Sequence, residues 1–342
     1  MENEKKISNI YIYLIMIYYN LTLSSICFSS FIMKDFNKIA WMIPLFSIIP
    51  VILLFFLYKP INLIDLTKTS LLFKIILLIN SVFHNVLLIY ISSHMMGISF
   101  FSLSPVSLFA VSTIIVTCFL SFLDFKKIIR LATILITGLI WFIPFIFDFE
   151  YNNNPNMELF GKIDFSILRG IYFTTVCNDL IIYALYNKEY KKPISRKAYI
   201  IVSSIILIAS ALQIVDSYTL VSYRYYEDIE MPSLIRYFGH QGKRFFEHFD
   251  ILLLFLTLTT TFYKVSFNVI CLKDTLFNKY KNRFIIVYFL ILTPIVFFVI
   301  LNQHLFKNIV MIFSITTIIV FIFISTMSRW RNKKCIKKSL EN

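Results

Sequence analysis

Glycine is nearly missing from this chain, with six in 342 residues. Ile, Phe, Asn, Lys and Tyr are abundant instead. An AT-rich bacterial genome drifts towards that balance, so a glycine missing from a motif argues little against the motif. Cysteine is sparse too. Cys27, Cys118, Cys177, Cys271 and Cys335 lie in hydrophobic stretches or in the C-terminal tail. They include no CxxC pair and imply no disulfide framework. No second His or Cys stands at metal-ligand spacing from His84, so no metal is expected, and no cofactor is called for. A cleavable signal peptide is not expected either. The first hydrophobic stretch lacks a small-residue cleavage site and is too long for a signal core. No polar stretch is long enough to form a soluble domain.

Hydrophobic runs are what the chain has. Ten of them suit a spanning helix, which needs about 20 mostly apolar residues. They fall near 9–32, 38–58, 71–93, 106–123, 128–147, 165–186, 199–220, 249–272, 284–301 and 306–327. Hydrophobic residues make up 58% of the chain and its mean hydropathy is +0.76. A soluble protein of this length could not hide so much apolar surface. The fold class expected is an all-α polytopic membrane protein with about ten transmembrane helices, one domain over 1–342. Its first half covers about 9–147 and its second about 165–327, followed by a basic tail at 328–342.

Positive charge sets the orientation. With the N-terminus in the cytoplasm, 22 of the 33 lysines and arginines fall in cytoplasmic segments, 8 in outer loops and 3 inside spans. That asymmetry predicts both termini in the cytoplasm. The net charge of +14 then belongs to a face that meets anionic lipid, and no nucleic-acid partner is needed. Two outer segments are long, 148–164 and 221–248. The stretch from Pro232 to Phe246 alternates apolar and basic residues. It reads either as an amphipathic surface helix or as a solvated loop.

Polar residues inside spans carry the functional information, because lipid penalises them. Span 1 has Asn20, Thr22, Ser24 and Ser25 at its centre, and span 6 has Thr174, Thr175, Asn178 and Asp179. Transporters built from inverted repeats often break this equivalent pair of helices at the substrate site. These eight residues are therefore the candidate ligand site. The alternative is that they only bind neighbouring helices together. Span 3 adds Asn80, His84 and Asn85. His84 reads as a hydrogen-bonded structural histidine or as a proton carrier. Span 8 carries Thr257, Thr260, Thr261, Lys264 and Asn268 at helical spacing, a continuous polar stripe on one face. Lys264 lies roughly 22 Å from the outer end of its span, too deep to snorkel, so its ammonium must face protein or water. Lys74 sits near a span end and is expected to snorkel. Asp179 and Lys264 lie at similar depth, which suggests an ion pair. Backbone carbonyls at a break in span 1 are the other partner considered for Lys264.

Three stretches also resemble the signature of the spore germination permeases, the GerAB-type B subunits of nutrient germinant receptors. They are Met231-Pro232-Ser233-Leu234-Ile235-Arg236, Phe246-Glu247-His248-Phe249-Asp250 and Lys264-Val265-Ser266. The residues carrying the match are Pro232, Arg236, Glu247, Asp250, Lys264 and Ser266. Lys6-Ile7-Ser8, Ala40-Trp41 and Lys59-Pro60-Ile61-Asn62-Leu63-Ile64 look similar as well. The family is similar to the amino-acid/polyamine/organocation transporters, so the resemblance implies a five-plus-five inverted repeat. It also implies a spore inner-membrane protein that binds a small nutrient, an amino acid by preference, and works with an A subunit and a lipoprotein C subunit. An amino-acid/proton symporter of the same fold is the alternative. A membrane acyltransferase or polysaccharide polymerase is disfavoured. The outer loops offer His240 and His248 but no Ser/His/Asp or paired-carboxylate constellation, and no enzyme is expected.

Overall fold

The computed structural model describes residues 6–22, 41–46, 48, 71–97, 104–139, 190–192, 194–220, 249–276 and 281–302, and isolated positions between 305 and 319. These residues are almost entirely helical. In chain order the helices are α1 (Asn9–Thr22), α2 (Met42–Phe46), α3 (Leu71–Met95), α4 (Val106–Ser121), α5 (Phe125–Leu139), α6 (Arg196–Leu220), α7 (Phe249–Leu276) and α8 (Lys281–Leu301). Each falls on a stretch expected to span. The stretch at 165–186 lies outside the described residues, and 306–327 is described only at isolated positions. Among the described residues, three segments are long and apolar enough to cross a membrane: Lys74–His94, Leu254–Asp274 and Asn282–Leu301.

Local chemistry sets the helix ends. Pro105 precedes α4 with extended backbone, φ −67° and ψ 136°, and its missing N–H is no loss where the first turn has no acceptor for it. The turn after α4 passes into α5 through Asp124, whose carbonyl accepts Lys127 N–H at 3.0 Å and Ile128 N–H at 3.1 Å. An acidic residue at this position also complements the positive end of α5. α5 begins at Phe125, three residues before the apolar stretch expected at 128–147. Phe125, Ile128, Ile129, Ala132 and Ile136 are all buried and repeat at i, i+3, i+4, i+7 and i+11. Lys127 and Arg130 on the opposite face are exposed. Hydropathy alone skips that charged first turn, whereas helical period includes it. Between α3 and α4 the chain passes through Gly97. A Cβ there would stand 2.7 Å from Val106 Cγ2, so glycine permits the close approach.

α7 is the hub. It packs against α1, α3, α4, α5 and α8. α1 leans on α5 and α6 as well, and α6 on α2. Buried apolar side chains from α1, α3, α4, α5, α6, α7 and α8 form one continuous core. α8 turns an apolar face outward, with Ile286, Val287, Leu290, Ile291, Phe298 and Leu301 all exposed. In water such a face would be a liability; against lipid tails it is the expected covering.

One end of the bundle is tied by polar bonds. Ile7 and Tyr190 form a parallel bridge, and Lys191 N–H donates to Ile7 O at 3.0 Å. Asn9 bonds Lys192 twice: Nδ2 donates to its carbonyl at 2.6 Å, and Oδ1 accepts its N–H at 3.1 Å. Phe125 lies against Tyr190, ring centroids 6.1 Å apart. Lys273 of α7 donates to Ser121 O at 3.2 Å and Leu123 O at 3.0 Å. Segments 6–9, 121–125 and 190–192 and the C-terminal end of α7 therefore gather together. The basic-residue pattern assigns all four to one side.

Candidate functional site

The polar stripe of α7 faces the protein along its length. Thr257, Thr260, Thr261, Lys264 and Asn268 are all buried. Threonine hydroxyls in a helix can return to the carbonyl one turn earlier, which removes their cost in an apolar setting. Thr260 does so, donating to Leu256 O at 2.7 Å. Thr261 does not. Its hydroxyl oxygen is sealed from solvent and has no hydrogen-bond partner among the described residues.

Lys264 is 5% exposed and reaches α1, where its Nζ donates to Asn20 Oδ1 at 2.6 Å. Asn20 Nδ2 donates to Met16 O at 2.8 Å. That second bond fixes the amide with its oxygen turned to the ammonium. Thr22 Oγ1 bonds back to Tyr18 O at 2.9 Å. α1 is helical through Thr22. Lys264 thus bonds an amide side chain of span 1; the rest of that span, where a break was considered, lies outside the described residues. The helix contact is closed by rings: Tyr19 stacks on Tyr263 with centroids 4.5 Å apart, and Tyr263 on Phe267 at 5.5 Å. The hydroxyls of Tyr18 and Tyr19 are buried without partners among the described residues.

One turn further along α7 lies a second cluster. Asn268 Nδ2 sits 3.2 Å from His84 Nδ1 and 3.0 Å from Asn85 Oδ1 on α3. Asn85 Nδ2 donates to Tyr288 OH of α8 at 2.7 Å. Asn80, one turn before His84, accepts from Thr316 Oγ1 at 2.9 Å. All four α3 and α7 residues are buried. Two more contacts fasten α7 to α4. Ser266 Oγ donates to Thr117 O at 3.2 Å, and Lys273 closes the carbonyls at the α4 end. A cation there also meets the negative end of the helix dipole.

The structure brings together Asn20, Thr22, Asn80, His84, Thr257, Thr260, Thr261, Lys264, Ser266 and Asn268 around α7 and its neighbours. Asp250 lies in the first turn of α7. Ser24, Ser25, Thr174, Thr175, Asn178, Asp179, Pro232, Arg236 and Glu247 lie outside the described residues, as do His240 and His248. Lys74 is half-buried in the first turn of α3, where snorkelling was expected. Sequence reasoning missed Lys273, which it counted as a cytoplasmic loop charge. Lys273 is 4% exposed. It also missed Tyr288. Its signal was a phenol hydroxyl in an apolar run whose other interior polar side chain is Thr293. Among the described residues no group of three or more His, Cys, Asp or Glu side chains is placed to hold a metal ion. No protein-family model matches the chain, and no curated protein matches it.

Proposed function

We propose that the chain is the membrane subunit of a spore nutrient germinant receptor, with ten spans in a five-plus-five inverted repeat. It binds a small nutrient, an amino acid by preference, and signals with an A subunit and a lipoprotein C subunit in the spore inner membrane. The observation that carries this reading is the buried Lys264–Asn20 contact. Lys264 and Ser266 are the residues of the chain that resemble the family's Lys-x-Ser element. One ties α7 to α1 through Asn20, the other ties α7 to α4 through Thr117. Asn20 also stands in the polar centre from which a span 1 ligand site would be built. A ligand reaching that centre competes with Lys264 for the same amide, and so couples its arrival to the α1–α7 contact. Asp179 completes the site from span 6, either on the ligand's amino group or on Lys264.

The test is made in spores. Lys264→Met and Asn20→Leu each reduce nutrient-triggered germination at least tenfold while the protein stays in the membrane fraction. A panel of single amino acids then identifies the nutrient whose response is lost. Full germination in Lys264→Met spores, with normal protein level, overturns the role of the lysine. Growth-phase expression with uptake of a labelled amino acid, and no germination defect on deletion, favours the symporter instead. Cysteines introduced as Asn153→Cys and Tyr225→Cys, in a background without native cysteines, react with an impermeant thiol reagent from outside. Protection of both, with reaction at Lys191→Cys, reverses the orientation.

A further inference from the structure

The His84 cluster has a property that the Lys264 contact lacks: every link in it can be reversed. Asn268 Nδ2 carries two protons. One points to His84 Nδ1 at 3.2 Å and the other to Asn85 Oδ1 at 3.0 Å. Asn85 Nδ2 in turn donates to Tyr288 OH at 2.7 Å. With donors running in this direction, His84 Nδ1 is the acceptor, and the ring is neutral with its proton on Nε2. All four side chains are buried, so each bond matters and an unmatched group is costly.

We infer that His84 is a proton-binding site, and that Asn268 and Asn85 relay its occupancy to Tyr288. A proton taken up at Nδ1 turns that atom from acceptor to donor. It then faces the Asn268 amide proton that pointed at His84, and donor meets donor. Rotation of the Asn268 amide by half a turn presents Oδ1 instead, and His84 Nδ1–H donates to it. Asn268 Oδ1 now faces Asn85 Oδ1, so Asn85 turns as well and its Nδ2 donates to Asn268. Asn85 Oδ1 is left facing Tyr288, which donates its hydroxyl proton back. Donor and acceptor match at each link in both states. One proton is gained, at His84, and none passes along the relay; the amides only rotate. Tyr288 changes from acceptor to donor, so α8 registers a proton bound on α3.

The ionisable groups facing this cluster from the helices packed on α3 are few. α7 contributes Lys264, one turn from Asn268, and Cys271 on the other side. α8 contributes Tyr288, and Cys118 is the only ionisable residue of α4. Lys264, four residues before Asn268 on the same buried stripe, is a like charge on the helix that holds the cluster. The site is therefore a proton site that shares its stripe with the contact to α1.

The measurement is a pH titration of the intact protein in lipid nanodiscs by solid-state NMR, with labelled His, Asn and Tyr. Five histidines are present, so His84 signals are assigned by their loss in His84→Gln. The ring nitrogens of His84 pass from the neutral Nε2–H pattern to the imidazolium pattern. The Asn268 and Asn85 amide signals and the Tyr288 ring signals move at the same midpoint. In Asn85→Leu, His84 still titrates while Tyr288 stops responding. A His84 that stays neutral wherever the protein is folded overturns the site. Titration of His84 with unmoved amides, or with Tyr288 still responding in Asn85→Leu, overturns the relay. The wild-type titration decides the first two points even if Asn85→Leu does not fold. No nutrient enters the experiment, so its failure is separate from failure of the germinant-receptor reading.

Discussion

α7 and α8 follow one another in the chain, and both are long enough to cross a membrane, yet they do opposite jobs. Of the most apolar stretch of α7, 78% is buried inside the protein; of that of α8, only 33% is. α7 carries Lys264, Asn268, Ser266, Thr257, Thr259, Thr260 and Thr261, all buried. α8 carries Tyr288 inward and a broad apolar face outward. The more polar helix is the more central one. In water the ordering would run the other way, because burial there follows apolar area. In a bilayer the tails solvate leucine as well as another helix does, so polar groups decide which helix goes inside.

That contrast fails if substitutions on α8 prove as damaging as those on α7. The largest loss is expected for Asn20→Leu, which removes an acceptor from the buried ammonium of Lys264. It costs about 3 kcal/mol, as for breaking a buried charged contact from the neutral side. Thermal unfolding in lipid nanodiscs measures it. Asn268→Leu follows, at about 2 kcal/mol, since it leaves groups on both His84 and Asn85 without this donor. Lys273→Met costs about 1 kcal/mol, through the lost bonds to Ser121 O and Leu123 O. Hydrogen exchange should show that loss as faster opening confined to the end of α4. Tyr288→Phe costs about 0.6 kcal/mol, the mean found for interhelical hydrogen bonds in a membrane. Leu290→Ala, on the outward face of α8, changes stability by less than about 0.5 kcal/mol. A Leu290→Ala loss equal to that of Asn268→Leu would mean that α8 packs against protein on the face that is exposed here.

The parts legible in the sequence were those with a local cause. Helix starts at residues 71, 106 and 249 coincide with the onset of apolar runs. The α7 stripe follows from helical period alone, and its burial from the depth of Lys264. The parts that were not legible depend on which helices meet. Nothing near Lys264 in sequence points to Asn20, which is 244 residues away. Comparing depths points to Asp179, which lies outside the described residues; an amide held by its own helix backbone is an acceptor that depth alone does not single out. Lys273 looked like a loop charge because it ends an apolar run. Its burial depends on the carbonyls that α4 leaves open, and those are invisible without the packing.

The most direct test is a double-mutant cycle on Asn20 and Lys264, read as unfolding free energy in nanodiscs and repeated as germination response. The contact predicts that Asn20→Leu is worse than Lys264→Met, since it leaves the charge in place and takes one of its acceptors away. It also predicts that the double variant loses little more than Lys264→Met alone, a coupling close to the whole Asn20→Leu loss of about 3 kcal/mol. Additive losses within about 0.5 kcal/mol would contradict a direct contact between α1 and α7 through these two side chains.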